Sequence, residues 1–341
     1  MKQIAFTRPN TAELLEIERP LTGAGEVCVR TCYSALSAGT ERANVTGDPN
    51  CGGGRGQQRP WPRVLGYSVS GIVEEVGEGV ADLRPGDRVI GFWGKHQSYN
   101  VYPRENVVKI QYADVSLRDA AFVFISNFSL AAIRKTGLEI GESCMVVGLG
   151  LLGQFAVEYA RIGGAQPVIA VDFSAERREL ALRLGADYAF DPSDPELAEK
   201  VKAVTEGRGA DSVIEVTGNP DALYTALLCT ARFGRVELLG CTRVPTTVNF
   251  YNDVHFPGIT LVGAHTMARP AHDSSRGWWT TQDDCRAALR LLHAGKLNIA
   301  DIVHEQHVPE DCGAVYARLA NDKNFPIGVV WDWTGGKGER A

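Results

Sequence analysis

The sequence predicts an α/β protein in which a β-rich first part precedes a doubly wound parallel sheet. Two observations predict this order. Short strand-like runs separated by glycine and proline turns fill the first third, whereas continuous apolar runs alternate with helical patterns between residues 143 and 262. Apolar strands that alternate with helices are typical of a parallel sheet covered on both faces. The length of 341 residues also suits about two domains.

The first third contains three runs of strand composition, at residues 27–33, 69–76 and 88–91. Turn residues flank these runs, including the Arg84-Pro-Gly-Asp87 sequence before the third run. A segment at 46–62 is dense in glycine, proline and asparagine. This segment is interpreted either as a functional loop or as a surface insertion without fixed structure.

The middle of the chain alternates between strand and helix patterns, as a doubly wound sheet requires. Strands are predicted at 144–147, 167–171, 187–190, 212–216, 236–239 and 259–262, and helices at 151–162, 175–184, 195–205 and 221–231. The last part is predicted to contain a helix at 284–294, a strand at 301–307, a helix from 309 and a strand at 328–332. We therefore expect domains at 1–125 and 126–266, with a return segment at 267–341 that completes the first domain.

Charge and cysteine content exclude several classes of protein. There are 35 basic and 41 acidic residues, and the net charge of −6 disfavours nucleic acid and anionic membranes as partners. The eight cysteines form no C-x-x-C pair, and the N-terminal region lacks the apolar core of a signal peptide. The longest charge-free apolar stretch, at 120–133, is too short to span a bilayer. We expect a soluble cytoplasmic protein with reduced thiols.

A glycine-rich turn follows the first strand of the predicted parallel sheet. The sequence Gly148-Leu-Gly-Leu-Leu-Gly153 matches G-x-G-x-x-G between a strand and a helix. Gly148 would allow the tight turn, Gly150 the close approach of a pyrophosphate, and Gly153 the packing of the helix on the sheet. The N–H groups of Leu151 and Leu152, in the first helical turn, would bind the phosphates.

Asp172 lies at the end of the second strand, where an acid can accept hydrogen bonds from the adenosine ribose hydroxyls. Its charge would repel a 2′-phosphate, so NAD is favoured over NADP. Arg177 follows closely and is interpreted either as a residue that softens this preference or as a solvated helix residue. The alternative for the whole motif is a glycine turn that binds no ligand.

The chain resembles the medium-chain dehydrogenase/reductase superfamily over essentially its whole length. The matching segments are Gly66-Tyr-Ser-Val-Ser-Gly71, Pro85-Gly-Asp-Arg-Val89, the glycine turn, Gly185-Ala-Asp187, Glu215-Val-Thr-Gly218, and Gly234-Arg-Val236 with Gly240. The resemblance implies a GroES-like catalytic domain and a Rossmann domain, with Thr217 and Gly240 beside the cofactor. It also implies a homodimer or homotetramer, for which the strand at 259–262 is a candidate pairing edge.

Within this superfamily the chain resembles a zinc-independent branch that includes bacteriochlorophyllide hydroxyethyl dehydrogenase and dehydrogenase modules beside sugar-type oxidoreductase domains. The segments that carry this resemblance are Ser37-Ala-Gly-Thr-Glu-Arg42 and Leu65-Gly-Tyr-Ser68. At the zinc-ligand positions of the superfamily, Ala38 stands for cysteine, Tyr67 for histidine and Ser68 for an acid. A catalytic zinc needs three protein donors, so we predict that no metal is bound. The cysteine-rich structural zinc lobe is also missing.

Four side chains are candidates for the proton transfer that zinc would otherwise assist. Thr40 holds the position of the proton-relay hydroxyl in the superfamily, and its alternative is a buried threonine that bonds to backbone. Tyr67 is expected either at the reaction centre or in a packed aromatic wall. Glu41 is interpreted as a base or as a partner of Arg42 or another basic residue. His96 suits proton transfer near neutral pH, with a surface or core histidine as the alternative.

Five further residues are candidates for substrate contact. Ser37 and Trp93 belong to segments around the candidate catalytic residues. Asn127 is interpreted either as a substrate ligand or as a helix cap. His265 and Arg269 follow the last predicted sheet strand, at the edge where ligands bind in doubly wound folds, and an ordinary surface loop is the alternative.

The resemblance and the intact nucleotide motif together predict a zinc-independent, NAD-dependent oxidoreductase. Its substrate would be a secondary alcohol or ketone, of polyol or sugar-like type. One alternative is an NADPH-dependent reductase of an activated C=C bond, as in quinone or enoyl reduction, although Asp172 disfavours NADPH. The other alternative is a dinucleotide-binding protein without catalysis.

Overall fold

The computed structural model describes residues 1–49, 51 and 59–335. The predicted loop at 46–62 therefore lies partly outside the described residues. The chain divides into two compact units, Met1–Ile125 with the segment from Cys285 onward, and Ser126–Asp284. We predicted that the return segment begins at 267, but the structure assigns 267–284 to the second unit. The reason is local, because Asp284 accepts hydrogen bonds from Arg134 and Arg269, both at 2.8 Å.

The described residues form strands in both units. In chain order these are β1 (Lys2–Arg8), β2 (Thr11–Glu16), β3 (Glu26–Ala35), β4 (Ser68–Val76), β5 (Arg88–Phe92), β6 (Tyr99–Pro103), β7 (Val107–Lys109), β8 (Cys144–Val147), β9 (Val168–Val171), β10 (Tyr188–Phe190), β11 (Ala210–Glu215), β12 (Thr230–Leu238), β13 (Thr260–Gly263), β14 (Val303–His307) and β15 (Gly328–Asp332).

The helices of the described residues are α1 (Ala38–Thr46), α2 (Leu117–Ala120), α3 (Val123–Thr136), α4 (Leu151–Ile162), α5 (Ala175–Arg183), α6 (Leu197–Val204), α7 (Pro220–Cys229), α8 (Thr281–His293) and α9 (Cys312–Asn321). Short 3₁₀ turns occur at Arg104–Asn106 and Pro309–Asp311, and a π turn at Tyr251–His255. None of these helices is both long and apolar enough to cross a membrane.

The first unit contains a mixed sheet with the strand order β14-β15-β3-β4-β5-β7, while β6 pairs with β3 and β1 pairs with β2. The β3 strand is buried along most of its length and pairs with β4, β6 and β15. One end of β3 leads through Leu36 and Ser37 into α1, which packs against α9 and β1. Ser37 and Glu41 are both buried on this segment.

The second unit contains a parallel sheet with the order β10-β9-β8-β11-β12-β13. The bounds of β8, α4 and β15 agree with the sequence predictions at both ends. The helix predicted at 221–231 was too long, because α7 ends at Cys229 and β12 begins at Thr230. Thr230 pairs with Ala210 before the main ladder of β12 resumes at Arg235, so the strand begins earlier than its apolar run.

All eight cysteines carry free thiols. Cys241 is exposed and Cys51 is partly exposed, whereas the other six are buried. Burial raises the pKa of the Cys229 and Cys312 thiols to about 11. These buried groups therefore stay protonated and pack as small apolar side chains.

Candidate active site

The glycine turn of the second unit is closed by two contacts that leave no space for a side chain. Gly148 follows β8 with φ of +95°, and a Cβ there would lie 2.5 Å from Cγ2 of Thr217. A Cβ on Gly153 would lie 1.9 Å from the carbonyl oxygen of Gly148. The turn and the first residues of α4 therefore pack directly against each other, as the G-x-G-x-x-G pattern predicts.

Gly150 differs from its two neighbours in the motif. It is the N-terminal cap of α4, and a Cβ built on it meets no atom within 4 Å. The space in front of Gly150 is open, so protein packing alone would allow a side chain at this position. The N–H groups of the first helical turn, which include those of Leu151 and Leu152, lack partners within a helix and attract anions. These features fit the pyrophosphate of a dinucleotide.

Asp172 connects the glycine turn to the end of β9. Its Oδ2 accepts the N–H of Leu149 at 2.7 Å, and its Oδ1 accepts the N–H of Ser174 at 2.8 Å. The guanidinium of Arg177 lies 3.9 Å from Oδ2. Asp172 thus holds the turn in place and carries its negative charge beside it.

Glu215 is a residue of this site to which the sequence analysis assigned no role. Its buried carboxylate at the end of β11 accepts the N–H groups of Thr217 at 2.7 Å and of Gly218 at 3.0 Å. Burial raises the pKa of Glu215, and these hydrogen bonds oppose that shift. A Cβ on Gly240 would lie 2.8 Å from Oε2 of Glu215. The Glu215 carboxylate therefore binds Thr217 and lies directly against Gly240.

The first unit contains a buried polar cluster centred on Glu41, whose side chain is 1% exposed. One carboxylate oxygen accepts the N–H of Ser37 at 2.7 Å, and the other accepts the hydroxyl of Tyr316 at 2.5 Å. His96 Nε2 lies 3.2 Å from Oε1. Burial and the Glu41 carboxylate raise the pKa of Tyr316 well above its usual range, so the phenol remains a donor. Three donors therefore stabilise the Glu41 carboxylate.

His96 is held in this cluster from its other side. Its Nδ1 lies 2.8 Å from Oγ of Ser34, which also accepts the indole N–H of Trp333 at 2.9 Å. The Ser34 proton is then available for Nδ1, which assigns the His96 proton to Nε2 and directs it at Glu41. His96 is 1% exposed, so the structure places it in the core.

Tyr67 of the same unit is half-buried and donates a hydrogen bond from its hydroxyl to Oγ of Ser37. Its ring contacts Trp93 and Phe124, each at 5.9 Å between centroids. Trp93 is 42% exposed and has φ of +64°. The hydroxyls of Tyr67 and Ser37 thus lie together beside an aromatic surface. Thr40, half-buried in α1, follows Ser37 by three residues.

The three candidate substrate residues of the second unit are placed differently. Asn127 is fully buried within α3, so the alternative of a helix cap was wrong. Its carbonyl accepts a hydrogen bond from Arg269, whose guanidinium also pairs with Asp284. His265 is exposed, and its Nδ1 accepts the N–H of Met267 at 3.1 Å. Asn127 and Arg269 therefore help to hold α3 to the segment after β13.

Glu237 in β12 is a further buried glutamate of the second unit. Neither oxygen of its carboxyl group has a hydrogen-bond partner among the described residues. Burial raises the pKa of Glu237 well above its usual range, and the charges of Arg235 and Lys135 oppose that shift. Burial also lowers the pKa of Lys135 to about 8.

Comparison with known protein families gives two matches along the chain. Residues 23–118 match the alcohol dehydrogenase GroES-like domain, and residues 152–292 match the zinc-binding dehydrogenase family. The chain is 28% identical to D-guloside 3-dehydrogenase of Escherichia coli K12, over 89% of this chain and 91% of the relative. It is also 28% identical to L-threonine 3-dehydrogenase of Pyrococcus horikoshii, over 90% and 91%.

Solved structures show the same fold at lower sequence identity. Galactitol-1-phosphate dehydrogenase from Escherichia coli superposes with a TM-score of 0.83 at 22% identity, covering 97% of this chain and 100% of the other. An alcohol dehydrogenase from Escherichia coli CFT073, solved with NADH, superposes with a TM-score of 0.81 at 21% identity, covering 97% and 99%.

Proposed function

Because the chain belongs to the medium-chain dehydrogenase/reductase superfamily, we propose that it oxidises a secondary alcohol or reduces a ketone with NAD, without a catalytic zinc ion. The observation that carries this proposal is the closed glycine turn with Asp172 at its side. NAD supplies the hydride acceptor in such chemistry. Gly150, Leu151 and Leu152 would hold its pyrophosphate, and the charge of Asp172 favours NAD over NADP.

The donor set at the zinc-ligand positions supports chemistry without the metal. Ala38 offers no donor, and Tyr67 and Ser68 offer hydroxyls where the superfamily has histidine and an acid. Ser68 already donates to the carbonyl of Ala121 at 2.5 Å. Zinc sites are built from cysteine, histidine and carboxylate ligands. These three residues do not fit a catalytic zinc.

We assign proton handling to the hydroxyl pair of Tyr67 and Ser37. The half-buried phenol of Tyr67 is the accessible member, suited to donate a proton to a ketone or to accept one from an alcohol. Glu41 binds the N–H of Ser37 and is itself held by His96 and Tyr316. Since Glu41 and His96 are fully buried, we assign them a positioning role for Ser37 and Tyr67. Thr40 remains a candidate for proton relay.

The substrate proposed for this site is a polyol or sugar-like molecule. Ser37 and Tyr67 present hydroxyls, and Trp93 presents an exposed ring that a carbohydrate carbon skeleton can cover. Two relatives named above are dehydrogenases of a guloside and of galactitol 1-phosphate, which supports this class. His265 is the accessible candidate of the second unit, whereas Asn127 is buried and the Arg269 side chain is 6% exposed and already bonded.

Turnover of a panel of polyols and glycosides with NAD, followed by NADH absorbance, tests this function. We expect activity that survives metal chelation, with no stoichiometric zinc by mass spectrometry. Tyr67→Phe should lower kcat by about 100-fold, the scale of general acid–base catalysis. Tyr224→Phe, at an exposed position of the second unit, is the matched control. Activity that disappears with a bound zinc would contradict the proposal, as would unchanged turnover in Tyr67→Phe.

A further inference from the structure

A cavity of about 300 Å³ lies in the first unit, between β7 and the part of α8 that follows Cys285. Ligand pockets start at about this volume. Four basic side chains line it, and Asp82 is the acidic one among its lining residues. The basic residues are Arg104, Lys109, Arg286 and Arg290. A concentration of positive charge on a chain of net charge −6 indicates a local function.

Arg104 and Lys109 are compensated within the protein. Arg104 donates to both carboxylate oxygens of Asp82, which lowers the pKa of that acid, and the charge of Arg286 adds to the effect. Lys109 pairs at 2.7 Å with Asp87, a neighbouring acid outside the cavity lining. Arg290, on the α8 side, is the remaining lining cation without such a pairing among the described residues, since the charge of Arg286 already acts on Asp82.

Arg286 and Arg290 are exposed and lie one helical turn apart on α8. Like charges at this spacing destabilise a helix. Within the part of the chain that the structure describes, the Arg290 guanidinium makes no hydrogen bond or ion pair. A guanidinium in this state can form paired hydrogen bonds with a phosphate or a carboxylate.

The inner wall of the cavity is apolar and fixed. Val108 and Leu289 are each 2% exposed, so their positions are set by the core. Tyr112 stacks on His293 at 4.2 Å between ring centroids, and His293 pairs with Asp114 at 2.9 Å. The cavity thus combines a rigid apolar wall with an arginine rim, which suits a compact carbon skeleton bearing several negative charges.

We propose that this cavity binds a small multivalent anion, of phosphorylated or polycarboxylate type, through Arg290 and Arg286. The site consists of residues of the first unit, whereas the glycine turn belongs to the second. The proposal is therefore independent of the proposed oxidoreductase activity and of the dinucleotide. It adds a ligand that is neither the cofactor nor the alcohol.

Isothermal titration of pyrophosphate and of citrate into the full chain tests the proposal and distinguishes the two anion types. Saturating NAD is present throughout, so that the glycine turn cannot bind the probe. We expect one probe per chain with at least one of the two anions. Arg290→Gln should weaken its binding at least about tenfold, and Arg290→Lys, which keeps the charge, should weaken it less. The control is Arg183→Gln, at an exposed arginine at the end of α5 in the second unit.

The proposal is overturned if neither anion shows saturable binding, or if Arg183→Gln weakens binding as much as Arg290→Gln. Both α8 arginines are exposed, so the variants are expected to keep the thermal midpoint of the parent chain. Arg286→Gln gives a second, independent test of the same rim, and unchanged affinity in both single variants would also overturn the proposal.

Discussion

The two units build their candidate sites from different parts of the chain. In the second unit the glycine turn is a backbone structure, closed by the contact of Gly153 with Gly148, by Thr217 against Gly148 and by Asp172. In the first unit the cluster around Glu41 is a side-chain structure that joins positions 34, 41, 96, 316 and 333. The glycine turn therefore tolerates no added side-chain atom at Gly148 or Gly153. The cluster around Glu41 instead depends on every buried donor and acceptor having a hydrogen-bond partner.

The largest effect is expected for a substitution in the glycine turn of the second unit. Gly153→Ala places a methyl group 1.9 Å from the carbonyl of Gly148, so α4 must shift. We expect NAD affinity to fall by at least about 100-fold and the thermal midpoint to fall with it, because close packing tolerates little overlap. Calorimetric titration and thermal denaturation measure the two effects.

Gly150→Ala distinguishes a steric effect on protein packing from a steric effect on NAD binding. Its methyl group meets no protein atom within 4 Å, so the midpoint should match the parent chain. NAD affinity should nevertheless fall about tenfold or more, because the pyrophosphate needs this approach. Equal loss of stability in both glycine variants would show that the turn serves only packing.

These glycines also show which parts of the molecule the sequence could predict. The bounds of β8 and α4 followed from a continuous apolar run, a glycine turn and an apolar helical face, all of which are local signals. By contrast, α1 was not predicted, because it combines polar and small residues without a clear apolar stripe. The β1–β2 hairpin was also missed.

The role of Tyr316 could not be predicted for a different reason. It is separated from Glu41 by 275 positions, and nothing local in α9 distinguishes it from an ordinary core tyrosine. Ser34 and Trp333, which are hydrogen-bonded to each other, are separated by 299 positions. Sequence reasoning singled out Glu41 and His96 individually, but only folding brings them to 3.2 Å.

Replacing one carboxylate oxygen of Glu41 tests the hydrogen-bonded cluster of the first unit. In Glu41→Gln the amide group faces at least one of three donors, so a buried donor loses its partner. We expect a loss of about 1–3 kcal/mol in the free energy of unfolding, measured by urea denaturation. The exposed Glu179→Gln is the matched control and should be unchanged. Equal stability of Glu41→Gln and the parent chain would refute the assignment of Glu41 as the shared acceptor of these three donors.

A smaller effect is expected on the cofactor preference. Asp172→Asn removes the charge beside the glycine turn while keeping the size of the side chain. We expect the ratio of kcat/KM for NAD over NADP to fall about tenfold, because the repulsion of a 2′-phosphate is lost. An unchanged ratio would mean that Asp172 only fixes the N–H groups of Leu149 and Ser174.

The smallest effect contrasts the buried Glu237 with Glu41. Glu237 lacks the donors that Glu41 has, and its raised pKa means that folding favours its neutral form. The folded state then binds more protons than the unfolded state above the usual glutamate pKa, so this group lowers stability as pH rises. Glu237→Gln should raise the thermal midpoint by about 2–4 °C at pH 8, the scale of about 1 kcal/mol in a domain of this size.

The same variant should have no advantage at a pH near or below the ordinary glutamate pKa, where Glu237 is neutral in both states. Of the groups that interact with Glu237, Arg235 stays charged and burial raises the pKa of the Cys144 thiol, so neither titrates in this range. Lys135, with a pKa of about 8, loses part of its charge at the upper end of the range, so scans at pH 7 accompany those at pH 8. Thermal scans of both proteins across this pH range measure the difference. A gain that is independent of pH would point to packing instead of charge.

The free thiol of Cys241 has a practical consequence. Its backbone lies against Gly218, at the end of the loop that Glu215 organises, and its sulfur faces solvent while six other thiols are buried. After Cys51→Ser, a maleimide dye would attach at this one position without unfolding the chain. The fluorescence of such a conjugate would report binding of the dinucleotide beside this loop, without any need for the alcohol substrate.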